Sequence, residues 1–332
     1  MKQQQFEGLE YKDVYLIPQY SEVNTRSEVD ISIKVGHLDV SVPVISANMD
    51  TVTNVCMARS MREAGALGAL HRFWSIKENV EKYRLVRRTP NQQLDCFVSV
   101  GVNRDSKERA QALYEAGARY FIIDIAHGHS KMMRDMMEWM KGTFTDIFLM
   151  AGNVATRSGA IALASWGADA VKVGIGPRAV CLTKNVTGVT VPQLGAIEDC
   201  AVGLESLSRK VLLVADGGIR EYGDVAKAIA AGADLVMAGS LFAGTDEAPG
   251  DWVVDGKKVY RGMASEDAMH LIRVDDSCTP TPEGTSILVE HKGPVKRIVD
   301  DIAGGLRSAF SYSNARTLSE FQVRAKFGIR KR

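Results

Sequence analysis

The residues best placed to do chemistry lie in one short run, Gly174-Ile175-Gly176-Pro177-Arg178-Ala179-Val180-Cys181-Leu182-Thr183. It follows the apolar run Ala168-Asp169-Ala170-Val171-Lys172-Val173, which reads as a buried strand. A strand that ends in a glycine turn leaves backbone N–H groups able to hold an anion. The same turn projects Cys181 from a loop, where its thiol can be reached and its pKa lowered, and Thr183 adds a hydroxyl two residues on. An anion grip and a nucleophile thus lie close together. A lone cysteine beside a glycine turn is in most proteins a small buried hydrophobe, so the weight of this reading depends on the surrounding elements.

Those elements repeat. A helix-like stretch ends in Ala-Gly-Ala or Gly-Ala and a short β-rich run follows: Ala64-Gly65-Ala66 before Leu67–Leu70, Ala116-Gly117-Ala118 before Arg119–Ile125, Gly167-Ala168 before Asp169–Ile175, and Ala231-Gly232-Ala233 before Asp234–Gly239. Glycine at a helix C-terminus followed by a continuously apolar strand marks a βα repeat with a parallel, buried sheet. Val42–Ala47, Cys96–Val102, Asp146–Ala151 and Val211–Ala215 supply the remaining strands. About eight strands alternating with amphipathic helices predict an α/β fold, the (β/α)8 barrel. A doubly wound sheet is the alternative, but no dinucleotide glycine fingerprint follows the first strand. Polar residues then gather at the strands' C-terminal ends: Asn48-Met49-Asp50, His71-Arg72, Asp124 with His127, Gly152-Asn153, Asp216-Gly217-Gly218 and Gly239-Ser240. That rim is where barrel enzymes do chemistry. From Gly244 to Gly293 the rhythm fails in a long polar stretch, which reads as a mobile flap over about residues 245–292 that can reach across the barrel mouth.

Composition removes several function classes. The 332 residues suit one large barrel or two ordinary domains, and the shares of hydrophobic (45%) and charged (24%) residues are those of a globular protein. A formal net charge of +1 gives no general reason to expect nucleic acid or an acidic membrane as partner. The five cysteines (Cys56, Cys96, Cys181, Cys200, Cys278) are odd in number, widely spaced and in no metal-like pairing; of the six histidines, His127-Gly128-His129 is too little for zinc. Met1–Tyr20 has no signal-peptide pattern and no long apolar span is present, so a cytoplasmic setting is expected. The basic tail Arg316–Arg332 reads as a solvated terminus.

The chain resembles the IMP dehydrogenase/GMP reductase family along nearly its whole length. The resemblance rests on Leu9-Glu10-Tyr11-Lys12-Asp13-Val14, Ala47-Asn48-Met49-Asp50-Thr51-Val52, Ala151-Gly152-Asn153-Val154, Lys172–Thr183, Asp216-Gly217-Gly218-Ile219, Gly239-Ser240-Leu241-Phe242-Ala243-Gly244 and Tyr260-Arg261-Gly262-Met263, in that order. Dehydrogenases of the family generally carry a regulatory CBS pair after the second strand; Leu70 runs to Cys96 with no room for one. Dehydrogenases also usually have proline before the methionine where this chain has Asn48, and an Arg-Tyr pair in the flap that activates water; between Met263 and Glu283 stands only Arg273-Val274. The resemblance therefore implies the reductase branch: NADPH-dependent reductive deamination of a purine nucleoside monophosphate, GMP, to IMP and ammonia. CBS-free oxidation of IMP to XMP with NAD, a reductase acting on a variant purine nucleotide, and a nucleotide-binding regulatory protein on a retired barrel are the competing readings.

By the same resemblance Cys181 attacks purine C2, and Thr183 with Glu283 of the flap relays a proton to the leaving amine. Asn48, Gly176, Arg178, Ala179, Gly217, Gly218, Gly239, Ser240, Tyr260, Gly262 and Met263 are expected to hold the nucleotide, with Asp216 on its ribose. Asp124, His127, Asn153, Gly174 and Gly176 are expected on the cofactor side. The resemblance further implies a homotetramer and a potassium ion near Gly174, Gly176 and Cys181. One departure stands out: the family's Gly-Pro-Gly-Ser is here Gly176-Pro177-Arg178-Ala179, with Leu182 and Lys184 replacing a common threonine and arginine. Arg178 is therefore expected to mark a shifted nucleotide preference.

Overall fold

The computed structural model describes residues 8–88, 94–103, 105–176, 180, 182–265 and 281–330. Eight strands alternate with helices: β1 (Val44–Ser46), β2 (Leu67–Leu70), β3 (Phe97–Val100), β4 (Tyr120–Asp124), β5 (Phe148–Val154), β6 (Ala170–Val173), β7 (Leu212–Asp216) and β8 (Leu235–Ala238). They close into one parallel barrel in chain order, β8 returning to β1 through Val236–Val44 and Ala238–Ser46. The strands are continuous apolar runs because both faces are covered, one by the barrel interior and one by helices.

Local signals set the helix boundaries. Asn54, Ser130 and Thr156 accept from the backbone N–H groups of Met57, Met133 and Gly159 and so open the helices Val55–Glu63, Lys131–Thr143 and Arg157–Ser165. At the other end, Gly65, Gly117, Gly167 and Gly232 take φ values of +82° to +115°, the left-handed turn that ends a helix and starts the next strand. The repeated Ala-Gly phrase is thus a helix stop.

Two expectations are corrected, and the stretch after the last strand gains detail. β5 runs on to Val154, so Gly152-Asn153 lie inside the strand, where the register with β6 shifts, and not after it. The basic tail is not a free solvated terminus: Leu318–Arg324 is a helix whose Phe321 stacks on Phe310 at 4.1 Å, and Lys326–Ile329 pairs antiparallel with Val14–Ile17. Its apolar residues, interleaved with the charges, anchor it. The polar stretch after β8 contains regular structure: Lys258–Arg261 and Ser286–Val289 form an antiparallel ribbon, Tyr260 opposite Ile287. Residues 266–280 between them lie outside the described residues. Among the described residues no helix is long and apolar enough to cross a membrane, and no three His, Cys, Asp or Glu side chains gather as a metal site.

Candidate active site

A chain of hydrogen bonds crosses the barrel mouth at the C-terminal ends of the strands. Its centre is Lys172 on β6, with no solvent exposure, whose ammonium donates to Asp124 Oδ1 at 2.6 Å and to Asp216 Oδ2 at 2.7 Å. Asn48 Nδ2, just beyond β1, donates to Asp124 Oδ2 at 3.1 Å and to Ser99 Oγ on β3 at 2.9 Å. Asn153 Nδ2 donates to Asp216 Oδ2 at 2.9 Å and to the Gly174 carbonyl at 2.7 Å. A buried lysine survives because two carboxylates surround it, and each carboxylate is further satisfied by an amide. Both aspartates are thereby oriented as acceptors for hydroxyl groups.

Glycines leave the space beside this chain. A Cβ on Gly174, whose φ is +149°, would lie 2.1 Å from the Asp216 carbonyl oxygen, and one on Gly152 would meet Lys172 Cβ at 2.6 Å. A cleft at the rim is walled by Met49, Arg72, Asp124, Asn153, Gly174, Gly176, Thr183, Gly262, Met263 and Glu283. A smaller pocket adjoins it through Met49 and Met263; Asn48, Asp216, Gly217, Gly218, Gly239, Ser240 and Tyr260 line it. Gly217 and Gly218 both have positive φ, and the Gly217 N–H donates back to the Met237 carbonyl at 3.4 Å. The Ser240 hydroxyl donates to the Ile219 carbonyl at 2.9 Å, which ties the β8 loop to the β7 loop. Loops after the last two strands are the usual phosphate site of such barrels.

Residues 283–285 of the flap are hydrogen-bonded between two segments. On one side the Glu283 N–H donates to the Ala264 carbonyl at 2.9 Å and the Gly262 N–H to the Thr285 carbonyl at 2.9 Å. On the other, the Leu182 N–H donates to the Glu283 carbonyl at 2.6 Å and the Thr285 N–H to the Val180 carbonyl at 3.0 Å. The two neighbours of Cys181 in sequence are thus tied to the two neighbours of Gly284. This docking sets the Thr183 hydroxyl 2.8 Å from Glu283 Oε2 as donor. The ribbon itself is braced to the barrel by Arg261, whose guanidinium pairs with Asp50 and whose N–H donates to Thr51 Oγ1 at 3.1 Å.

Beside the cleft, burial pulls the Arg72 guanidinium's pKa down from its ordinary value while Asp124 and Asp105 pull it up; it stays charged, with Nε buried and without a partner. Burial lowers His71 to a pKa of about 3, helped by Arg109 and Arg261, so its imidazole is neutral and Nδ1 accepts from the Phe73 N–H at 3.2 Å. His71 is therefore a structural acceptor and not an acid.

The sequence-predicted residues are mostly brought together: Asn48, Gly176, Asp216, Gly217, Gly218, Gly239, Ser240, Tyr260, Gly262, Met263, Asp124, Asn153, Gly174, Thr183 and Glu283 all line the two pockets. Cys181, Arg178 and Ala179 lie outside the described residues. His127 is exposed and does not line the cleft; the β4 loop turns it outward beyond Ala126. Of the residues expected near potassium, Gly174 has its carbonyl accepting from Asn153 Nδ2, and no step below uses that ion. Sequence reasoning gave Lys172 and Arg72 no role. A lysine inside a continuously apolar strand was the available signal for the first; a charged residue just past a strand end was the signal for the second.

Fold and site together define a (β/α)8 barrel of the enzyme type, with a charged, glycine-walled cleft at the C-terminal rim. The sequence model of the IMP dehydrogenase / GMP reductase domain matches residues 8–331. The chain is 38% identical to the GMP reductase of Chromobacterium violaceum, over 94% of this chain and 95% of that protein. It is 31% identical to the inosine-5'-monophosphate dehydrogenase of Nitrosopumilus maritimus, over 97% of this chain and 95% of that one. The crystal structure of a cysteine-to-alanine variant of the GMP reductase from Trypanosoma brucei, in complex with guanosine 5'-monophosphate, superposes with a TM-score of 0.90 at 30% identity, covering 97% of this chain and 95% of that one. The chain belongs to the IMP dehydrogenase/GMP reductase family.

Proposed function

We propose that the protein is a GMP reductase, converting GMP, NADPH and a proton to IMP, NADP⁺ and ammonia. The observation that carries this reading is the hydrogen bond of 2.8 Å from Thr183 to Glu283, which joins a hydroxyl and a carboxyl group at the wall of the cleft. Expelling an amine requires a proton donor, because amide ion is not a feasible leaving group. For the transfer this contact reverses: Glu283, carrying a proton, donates to Thr183 Oγ1, and the hydroxyl turns to pass its own proton to the 2-amino group of the purine.

In this reading the Cys181 thiolate adds to purine C2, the relay protonates the amine, and ammonia leaves with the C2–N bond pair. A reduced nicotinamide held beside Asp124 and Asn153 would supply the hydride to C2, after which the C–S bond breaks to return the Cys181 thiolate. The residues on the page fit such a cofactor. Asn153 Oδ1 is a buried acceptor without a partner at the cleft wall, suited to an amide NH2 such as a carboxamide, and Asp124 is an oriented acceptor for ribose hydroxyls. Asp216 does the same for the nucleotide ribose, and Gly218, Gly239 and Ser240 offer backbone N–H groups to its phosphate. The hydrogen bonds of residues 283–285 to Val180 and Leu182 hold Glu283 against the residues that flank Cys181 in sequence. Hydrolysis is the step a reductase must avoid, and the sequence between Met263 and Glu283 holds no Arg-Tyr pair to activate water.

The test follows absorbance at the nicotinamide band with GMP and NADPH, in parallel with IMP and NAD⁺. Loss of NADPH with GMP, abolished in Cys181→Ala, is the expected result. Formation of NADH with IMP would establish the dehydrogenase instead.

A further inference from the structure

The mechanism uses Asp124 and Asp216 as separate ribose acceptors, yet the structure does not leave them separate. They stand on β4 and β7, which are not neighbours in the barrel, and Lys172 on β6 reaches both. Its ammonium is the shared partner of the two carboxylates, at 2.6 and 2.7 Å, with no exposure to water. Screening there is weak, so a shift of the ammonium toward one carboxylate is felt by the other. Asn48 and Asn153 extend the chain into the two pockets, Asn48 lining the smaller and Asn153 the larger.

We propose that Lys172 is a positioning residue that couples the two halves of the cleft, so that a ribose bound at Asp216 orders Asp124 for the second ribose, and the reverse. The inference rests on the reading above, which places one ribose at each aspartate. When the hydroxyls of the first ligand fix one carboxylate, they fix the ammonium, and the second carboxylate is held in its binding orientation before its ligand arrives. The second ligand then loses less freedom on binding and binds more tightly, and the effect is reciprocal. Lys172 contacts neither ligand in this account; it acts through the aspartates. A Cβ at Gly152 would meet Lys172 Cβ and the Lys172 carbonyl at 2.6 Å, so the glycine lets the two strands approach closely at this point.

The experiment measures GMP binding by titration calorimetry with and without saturating NADP⁺, which allows no hydride transfer, and NADP⁺ binding with and without GMP. Wild-type protein is expected to bind each ligand about fivefold or more tightly in the presence of the other. In Lys172→Met the affinity for each ligand alone falls, and the ratio of affinities with and without the partner collapses to about one. Lys172→Gln, which keeps a polar side chain of similar reach, is the second variant should methionine not fold, and is expected to lose the ratio as well. Asp124→Asn, which breaks the other end of the bridge, should lose the ratio to the same extent and add nothing to the loss in Lys172→Gln. A purely structural lysine would lower the melting temperature and both affinities but leave the ratio intact, and that result overturns the proposal. A wild-type ratio of one overturns it also. If wild-type protein binds neither GMP nor NADP⁺, the functional reading itself fails, and the coupling falls with it.

Discussion

Replacing Glu283 by glutamine isolates the proton relay. The substitution preserves side-chain volume, and the contacts that dock the flap here are main-chain: the Glu283 N–H to Ala264 and the Glu283 carbonyl from Leu182. Glutamine still presents an acceptor to the Thr183 hydroxyl, so the 2.8 Å contact can persist. What is lost is the proton that can be handed on. A positioned general acid contributes roughly 10²–10⁴ in rate, about 3–5 kcal/mol of barrier at 1.36 kcal/mol per decade. Glu283→Gln is therefore expected to lower kcat for GMP by about two to four decades, with KM changed by less than about threefold. Thr183→Val should fall in the same range, and the double variant should be no worse than the poorer single one, because the two residues act as a unit. The assay is steady-state NADPH oxidation with a thermal melt on each variant. A kcat for Glu283→Gln within about fivefold of wild type, far less than a general acid supplies, would refute the relay.

Three further predictions rest on other parts of the molecule. Gly262→Ala puts a Cβ 2.6 Å from the Val180 carbonyl oxygen and 3.2 Å from Gly284 Cα, pushing the flap off the cysteine loop; kcat should drop about tenfold to a hundredfold with the barrel's melt little changed, and a wild-type rate would show that this approach is not needed. His71 carries a folded pKa of about 3 against an ordinary 6.5, so below 6.5 the unfolded chain takes a proton that the native one refuses. Stability should fall with pH from 6.5 downward by about 1.4 kcal/mol per unit from this group, and urea melts at pH 7.5 and 5 should show the gap between wild type and His71→Gln narrowing by about 2 kcal/mol. Arg178→Gly, assayed on a panel of purine monophosphates, should change their relative kcat/KM values; an unchanged ranking would remove Arg178 as a determinant of preference.

Much of this architecture can be read from patterns with a direct physical cause. The Ala-Gly helix stops, the continuous apolar strands and the polar residues just after them lead to the barrel and to its rim, because parallel strands buried on both faces leave few other arrangements. Pairings that depend on distant residues are less visible. Lys172 sits in a run that is otherwise apolar, and nothing local says that Asp124 and Asp216 meet it across the barrel. The flap ribbon has Lys258 and Arg261 at its ends, so its charge hides an alternation in which Lys258 and Tyr260 are buried. The tail is similar: counting its charges favours a solvated end, while Leu318 and Phe321 at helical spacing anchor it. His127, a polar residue near a strand end, is exposed and stands outside the cleft lining.

The central claim is that this cleft removes the amine from a guanine nucleotide by reduction. The measurement that tests it most directly is the ratio of ammonia released to NADPH oxidised when GMP is the only nucleotide present. The account predicts one ammonia per NADPH, with IMP as product and no reaction in Cys181→Ala. NADPH stable in the presence of GMP, while IMP and NAD⁺ yield NADH and no ammonia, would contradict it.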